Sequence, residues 1–364
     1  MNSIAEIWGR IQGVLFPHLE EAFAGPLTEK QRQLVAVLEV VRIEEHVPPA
    51  SFQVWGRKRQ DRRAIARALV VKAVYNQATT ELLLELLRTD QRLRRICGWQ
   101  WPTELPSAST FSRAFAHFAA TGLLDQVHEA LVRQHLGERL VGHVSRDSTD
   151  IVAREKPVRK AAQSKPPKRP PGRPKKGESR PLQEPTRLQQ QAQQSAAQAL
   201  AELPRACDVG TKIDRHGPKQ SWTGYKLHLD VNDAGLPLLA VTTSASLHDS
   251  QAAIPMAKLT AQRVTALYEL MDSAYDAELI HQTCRDLGQV PLIAQHRRRG
   301  TKVPWDPAQE RRYQERTAVE RAIGRLKEEF GGSQVRVRGD LKVHCHLMFG
   351  LLALFADQLL KLVT

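Results

Sequence analysis

A group of polar residues between positions 313 and 327 constrains the fold more than any other stretch of the chain. These residues are Tyr313, Arg316, Glu320 and Lys327. On a helix that advances about 100° per residue, their side chains share a stripe roughly 60° wide. The apolar positions that fall beside this stripe are Val319, Ile323, Leu326 and Phe330. The pattern predicts one helix from Tyr313 to about Phe330, with a carboxylate on its rim and an apolar face toward a core.

Two interpretations of this stripe are open from the residues alone. A carboxylate such as Glu320 binds divalent metals, and neighbouring Arg and Lys side chains bind phosphate. The alternative is an amphipathic surface helix, on which Arg316 and Glu320 form an ordinary ion pair four residues apart.

Composition narrows the classes of function. The 364 residues carry a net charge of +14, which favours a polyanionic partner, either nucleic acid or an anionic membrane surface. No run of 18 apolar residues occurs, so we expect no membrane span. The chain start lacks the features of a signal peptide. The four cysteines form no CxxC pair, which indicates a reducing cytoplasm and no zinc site.

Two aspartates follow apolar stretches with the pattern of strands. The segment from Leu140 predicts a strand that ends near Asp147, and residues 264–271 predict another that ends at Asp272. Asp150 lies three residues beyond Asp147, and we prefer Asp147 because the end of the strand explains it better.

The spacing Tyr313-x2-Arg316-x3-Glu320-x6-Lys327 matches all four residues and all three gaps of the YREK signature. That signature belongs to the DDE transposases of bacterial insertion sequences, in the large family numbered four, and the chain resembles them. The Asp-Ser-Thr sequence at Asp147 and the Asp-Ser-Ala-Tyr-Asp sequence at Asp272 are similar to the segments that carry the two catalytic aspartates of the family.

This resemblance implies an α/β fold, an RNase H-like mixed sheet flanked by helices that forms the DDE catalytic core, preceded by an all-helical N-terminal domain. It implies that Asp147, Asp272 and Glu320 bind two Mg²⁺ ions, or Mn²⁺, and are catalytic. The partner is double-stranded DNA, both element ends and target, with a dimer assembled on the DNA in the bacterial cytoplasm at the nucleoid. Arg316 and Lys327 would hold phosphates, and Tyr313 would hydrogen-bond to one.

Four segments are expected in the chain. Residues 1–139 predict a helical DNA-binding domain, 140–153 the first strand of the core, 154–205 a basic, proline-rich disordered insert with an exposed Gln/Ala-rich helix, and 206–364 the rest of the core. From Arg154 to Arg180 the chain has eleven Lys or Arg and two Glu. Within the insert, four cations belong to a sequence that looks like an AT-hook, a motif that binds in the minor groove of DNA. A plain basic linker is an equal alternative. These cations are Arg169, Arg173, Lys175 and Lys176.

Further DNA contacts are predicted at two other places. Ser109 and Arg113 lie on the first turn of a predicted helix, where phosphate binds well. A short strand, the fifth that the sequence predicts, covers residues 291–294. The basic loop that follows it has Arg297, Arg298 and Trp305. Trp305 is predicted either to stack on an unpaired base or to anchor the loop by packing.

One departure from the family pattern is visible in the sequence. Some relatives have a large β-rich insertion between the fifth strand and the catalytic helix, whereas only residues 295–309 are available here. Two alternatives to a transposase remain, an RNase H-like nuclease that does not join strands and a non-catalytic DNA-binding protein derived from a transposase. The complete acidic trio and the complete YREK signature favour the transposase.

Overall fold

A computed structural model describes residues 26–48, 60–158, 184–213, 217–296 and 304–363. Several predicted DNA-binding residues lie outside these ranges: Arg169, Arg173, Lys175, Lys176, Arg297 and Arg298. The N-terminal part of the described chain is helical, as expected. Its α-helices are α1 (Glu29–Val41), α2 (Arg62–Val74), α3 (Thr80–Thr89), α4 (Gln91–Cys97), α5 (Ala108–Thr121) and α6 (Leu123–Leu136).

Six strands form one mixed sheet in the described residues. They are β1 (Leu140–Val152), β2 (Asp208–Ile213), β3 (Lys219–Asn232), β4 (Pro237–Ser244), β5 (Thr265–Met271) and β6 (Val290–Ile293). The order is β2-β3-β1-β5-β6, and β4 also pairs with β3. The pairs β1–β3, β2–β3 and β3–β4 are antiparallel, whereas β1–β5 and β5–β6 are parallel. The predicted mixed sheet flanked by helices is therefore confirmed.

Helices pack on both faces of this sheet. They are α7 (Arg187–Gln193), α8 (Ala196–Ala201), α9 (Ser250–Ala261), α10 (Glu278–Asp286), α11 (Pro307–Gln314), α12 (Thr317–Glu329) and α13 (Asp340–Val363). Successive side chains of a strand point to opposite faces. Arg146 contacts Ala253 of α9, while Asp147 contacts Arg316, which directly precedes α12. The helices α9 and α12 therefore cover opposite faces of β1.

Helix α13 is the central helix of the core. It contacts α1, α2, α5, α6, α12 and β4, and the largest hydrophobic cluster joins its side chains to those of the N-terminal helices and of the sheet. By length and composition alone α13 is apolar enough to cross a membrane, but 61% of its apolar window is buried inside the protein. Its apolar character is accounted for by these packing contacts.

Three sequence expectations about elements were wrong in detail. Strand β1 does not end near Asp147 but continues to Val152, because residues 146–152 keep their pairing with β3 after β5 has ended. The Gln/Ala-rich segment is two short helices that pack on α9 rather than one exposed helix, since Ser195 caps a new helix with its side chain. The predicted helix from Tyr313 is interrupted between α11 and α12.

Both ends of the basic insert are fastened to the core. On the entry side, the Glu155 carboxylate accepts hydrogen bonds from the Tyr225 hydroxyl and from the Gly339 backbone amide. On the return side, Lys258 of α9 donates its ammonium group to three backbone carbonyls at the end of α7. These carbonyls belong to Gln191, Ala192 and Gln194, at 2.8, 3.0 and 2.7 Å.

Candidate active site

Two aspartates meet where β5 ends beside β1. In the parallel β1–β5 register, Ser145 pairs with Leu270, an offset of 125 residues (270 − 145 = 125). Asp147 and Asp272 have the same offset (272 − 147 = 125), so the register continued by two residues places them side by side. Asp272 starts a short 3-10 turn, in which its side chain accepts a hydrogen bond from the Ala274 amide at 2.9 Å. Because β5 has ended at this point, the Asp272 carboxylate can lie beside the Asp147 carboxylate.

Arg316 connects this pair to the carboxylate on α12. One guanidinium nitrogen lies 3.2 Å from Asp147 Oδ2, and the other lies 2.5 Å from Glu320 Oε1. Burial raises the pKa of the Tyr313 hydroxyl, and the neighbouring Arg316 guanidinium opposes this rise. Lys327, about two turns farther along α12 than Glu320, is 3.2 Å from Asp150 Oδ1. The structure therefore brings the four YREK residues to the edge of β1 that carries Asp147.

The interruption between α11 and α12 does not separate the four YREK residues from one another. Helix α11 begins with Pro307 after an Asp306 capping box, and its last turn contains Tyr313. Arg316 keeps helical dihedral angles (φ −52°, ψ −27°), while its amide bonds to the Tyr313 carbonyl at 3.0 Å in a tighter turn. Four apolar side chains of α12 are buried: Ala318, Val319, Ala322 and Leu326. The polar side chains of α12 consequently remain on the rim, as the sequence pattern predicts.

The two aspartates are half-buried beside each other, and this shifts their pKa values. Burial raises the pKa of Asp147 to about 6, and the nearby charge of Asp272 adds to the rise, while the Ser148 amide and Arg316 oppose it. Burial likewise raises the pKa of Asp272, against the Ala274 amide and Arg316. Two carboxylates in low dielectric favour a neighbouring cation, because it offsets their desolvation and their repulsion.

The donor set suits a hard divalent cation, since carboxylate oxygens are its preferred ligands. In the described part of the chain, no three His, Cys, Asp or Glu side chains converge closely enough to hold a metal ion. Arg316 explains this, because its guanidinium stands between Asp147 and Glu320. The positive charge at the centre of the acidic trio thus comes from Arg316.

The other predicted DNA contacts lie in different places. Ser109 and Arg113 are exposed on the first and second turns of α5, and Ser109 bonds the Ser107 hydroxyl at 2.9 Å. Ser107 occupies the N-cap position but its side chain does not cap the helix. Trp305 is half-buried, with its ring centroid 4.7 Å from that of Tyr313. Both aromatic rings border a cavity of about 930 Å³ next to the acidic site.

Sequence reasoning missed two residues beside the site. Asp150, set aside as too far from the end of the predicted strand, is the partner of Lys327. Asp249, at the start of α9, binds Lys226 at 2.8 Å, and the neighbouring Ser148 side chain helps to lower its pKa. The position of Asp249, in a turn between a strand and a helix, was the available signal, but only the fold shows how close it lies to Ser148.

Comparison with known protein families agrees with this geometry. The family model described as "Transposase DDE domain" matches residues 147–356 and so begins at Asp147. A second model, "Transposase domain (DUF772)", matches residues 25–117 in the helical N-terminal part. No curated protein and no solved structure matches the chain.

The DDE domain implies an RNase H-like fold for the sheet and its helices. Proteins with this domain generally use divalent metals and act on DNA. Its model covers 210 of the 364 residues (356 − 147 + 1 = 210), and the chain belongs to the DDE transposases.

Proposed function

We propose that the protein is a YREK-type transposase of the insertion-sequence family numbered four. It binds the ends of its own element, cleaves them by phosphodiester hydrolysis and joins the freed 3′-hydroxyl groups to target DNA. The observation that carries this proposal is the Asp147–Asp272 pair, connected through Arg316 to Glu320 on the helix that bears the YREK residues. That signature is not a general feature of nucleases, which favours strand joining over hydrolysis alone.

Asp147, Asp272 and Glu320 are the proposed ligands of the divalent cations, two Mg²⁺ or Mn²⁺ ions. When bound, such ions activate the attacking oxygen and stabilise the leaving one. Asp147, which the strand register places beside Asp272, would hold the ions together with it. Glu320, whose side chain is 48% exposed, would complete the set of ligands once Arg316 turns from the carboxylates to a DNA phosphate.

The basic residues around the trio hold the DNA. Arg316 and Lys327 now pair with carboxylates, and a phosphate competes for the same guanidinium and ammonium groups. Tyr313 hydrogen-bonds to a phosphate of the element end. The cavity bordered by Trp305 and Tyr313 is a place for an unpaired base, with Trp305 as the stacking platform. Ser109, Arg113 and the basic insert add phosphate contacts, and the active assembly is a dimer on DNA.

Cleavage of the protein's own element ends in Mg²⁺ tests the catalytic trio. We expect Asp147→Asn and Glu320→Gln to lower cleavage by about 100-fold or more, because each removes an anionic ligand, while DNA-end binding is retained. Glu328→Gln is the matched control, since Glu328 is on the same helix with an exposed side chain and should cleave normally. Equal cleavage by the Glu320→Gln and Glu328→Gln proteins would contradict the assignment.

The products of the same reaction separate the three candidate functions. A transposase yields cleaved ends and then ends joined to a target plasmid. A nuclease yields cleaved ends that are never joined, and a non-catalytic DNA-binding protein shifts the DNA in a gel without cutting it.

A further inference from the structure

A fourth carboxylate lies beside the acidic trio but outside the YREK pattern. Asp249 occupies the N-cap position of α9, where an Asp side chain normally accepts a hydrogen bond from the first helical turn. Here it makes no capping bond. Its carboxylate instead accepts a hydrogen bond from the Lys226 ammonium at 2.8 Å, and the neighbouring Ser148 side chain helps to lower its pKa. Asp249 is therefore used for tertiary contacts rather than for the helix that it precedes.

Lys226 is held in one orientation. It lies on β3, directly opposite Asp150 of β1, and donates a second hydrogen bond to the Leu247 carbonyl at 2.9 Å. The side chains of Lys226 and Asp249 are only 14% and 23% exposed. Water screens such a pair much less than it screens a surface ion pair, so the charge of either partner is felt by its neighbours.

The pair lies beside the part of β1 that carries Asp147, since Lys226 is opposite Asp150 in the β1–β3 register. Ser148, whose side chain acts on the pKa of Asp249, directly follows Asp147 in β1. The charge of Asp249 helps to raise the pKa of Asp272. Asp249, Asp147 and Asp272 all act on the Tyr275 hydroxyl. That hydroxyl is buried and hydrogen-bonds to no residue that the structure describes, so an unused donor lies among three carboxylates.

We propose that Asp249 and Lys226 form a supporting charge pair that sets the affinity of the Asp147–Asp272 site for a divalent cation. This inference rests on the proposed function, in which those two aspartates bind metal. Asp249 and Lys226 are positioning residues that act through Ser148 and through the local electrostatic potential.

The sign of the effect follows from the charges. Together the carboxylate and the ammonium add no net charge to the site. Asp249→Asn leaves the Lys226 ammonium alone, which repels a cation. Lys226→Met leaves the Asp249 carboxylate alone, which attracts one. The two substitutions therefore have opposite effects, and the double variant returns toward the original affinity.

Mn²⁺ titration of the full-length protein, followed by electron paramagnetic resonance, tests this without requiring activity. Asp249→Asn should weaken Mn²⁺ binding by about 10-fold, as substitutions beside metal ligands commonly do. Lys226→Met should tighten Mn²⁺ binding, because it leaves the Asp249 carboxylate without its cation. The double variant should lie between the two single variants.

The outcomes are separable. If both single variants weaken binding, or if neither changes it, the charge-pair proposal is overturned. Thermal unfolding of each variant identifies a misfolded protein, and Lys226→Gln then replaces Lys226→Met in the comparison. Asp147→Asn serves as the reference for the site itself. If it leaves Mn²⁺ binding intact, the proposed metal site is wrong, whereas a loss with Asp147→Asn and no change with Asp249→Asn overturns only the charge pair.

Discussion

Asp147 stands in the interior of a strand rather than at its end, beside a second carboxylate and against a guanidinium. Burial is the main reason why its pKa rises from 3.8 to about 6. An acid whose pKa is raised on folding keeps its proton to higher pH, and a proton competes with a metal ion for the same oxygen atoms. Binding of a cation by this residue is therefore weakened below pH 6 and is fully available above it.

We expect cleavage at limiting Mg²⁺ to rise with pH, by about tenfold per unit, and to level off above about pH 6. Saturating Mg²⁺ should move the midpoint to lower pH, because the metal displaces the proton. Initial cleavage rates between pH 5 and 8 at two Mg²⁺ concentrations measure both effects. A midpoint that does not move with Mg²⁺ would show that another group controls the profile.

Among the elements, helix α12 depends on the N-terminal helices for the position of its end. Asn76, just after α2, donates a hydrogen bond to the Glu328 carbonyl at 2.8 Å. Its backbone is left-handed (φ 50°), a conformation that Asn tolerates better than most residues. His346 of α13 binds the Gly331 carbonyl at 3.0 Å. Helix α12 is thus held at its C-terminal end by Asn76 and by His346 of α13.

Asn76→Ala should lower the free energy of unfolding by about 2 kcal/mol, from the lost hydrogen bond and the strain of a left-handed Ala. Asn76→Gly loses the same bond without the strain and should lower it by only about 1 kcal/mol. Urea denaturation of both variants gives the two contributions. If Asn76→Gly is as stable as the unsubstituted protein, the bond to α12 adds nothing to stability.

Some of these elements could be predicted from the sequence, and others could not. The β3–β4 hairpin and the Asp272 strand were predictable, because alternation and turn residues are local signals. The extension of β1 to Val152 was not, since it depends on pairing with β3, whose residues lie more than 70 positions away (224 − 152 = 72). Strand β2 was missed as well, because it pairs with β3 alone at the edge of the sheet. The spacing of the YREK residues predicted that Arg316 and Glu320 lie next to each other. The contacts of Asp249 could be recognised only from the tertiary fold.

At the scale of the whole molecule, the net charge of +14 is unevenly distributed along the chain. Residues 154–180 contain eleven of the 53 Lys and Arg residues. Binding that neutralises phosphates releases counterions, so each contact steepens the dependence of affinity on salt by about 0.9 in the logarithmic slope. This dependence therefore reports how many of the basic side chains touch DNA.

Replacing the six cations between residues 165 and 176 by Ser should flatten the salt slope by up to about 5, since each contributes about 0.9. They are Lys165, Lys168, Arg169, Arg173, Lys175 and Lys176. A variant with the same residues in scrambled order keeps the charge and should keep the slope. Electrophoretic mobility shifts from 50 to 300 mM salt measure both proteins. An unchanged slope in the Ser variant would mean that these side chains do not contact DNA.

The basic insert is held to the core at both ends, through Glu155 where it begins and through the bonds from Lys258 of α9 where it returns. This has a consequence for how the protein can change over evolution. Because each end is held by its own hydrogen bonds to the core, the geometry of the acidic residues does not depend on how many residues lie between them. Loop closure becomes only slightly costlier as a loop lengthens. A lineage can therefore lengthen, shorten or replace the residues between these two ends while inheriting the same arrangement of acidic residues.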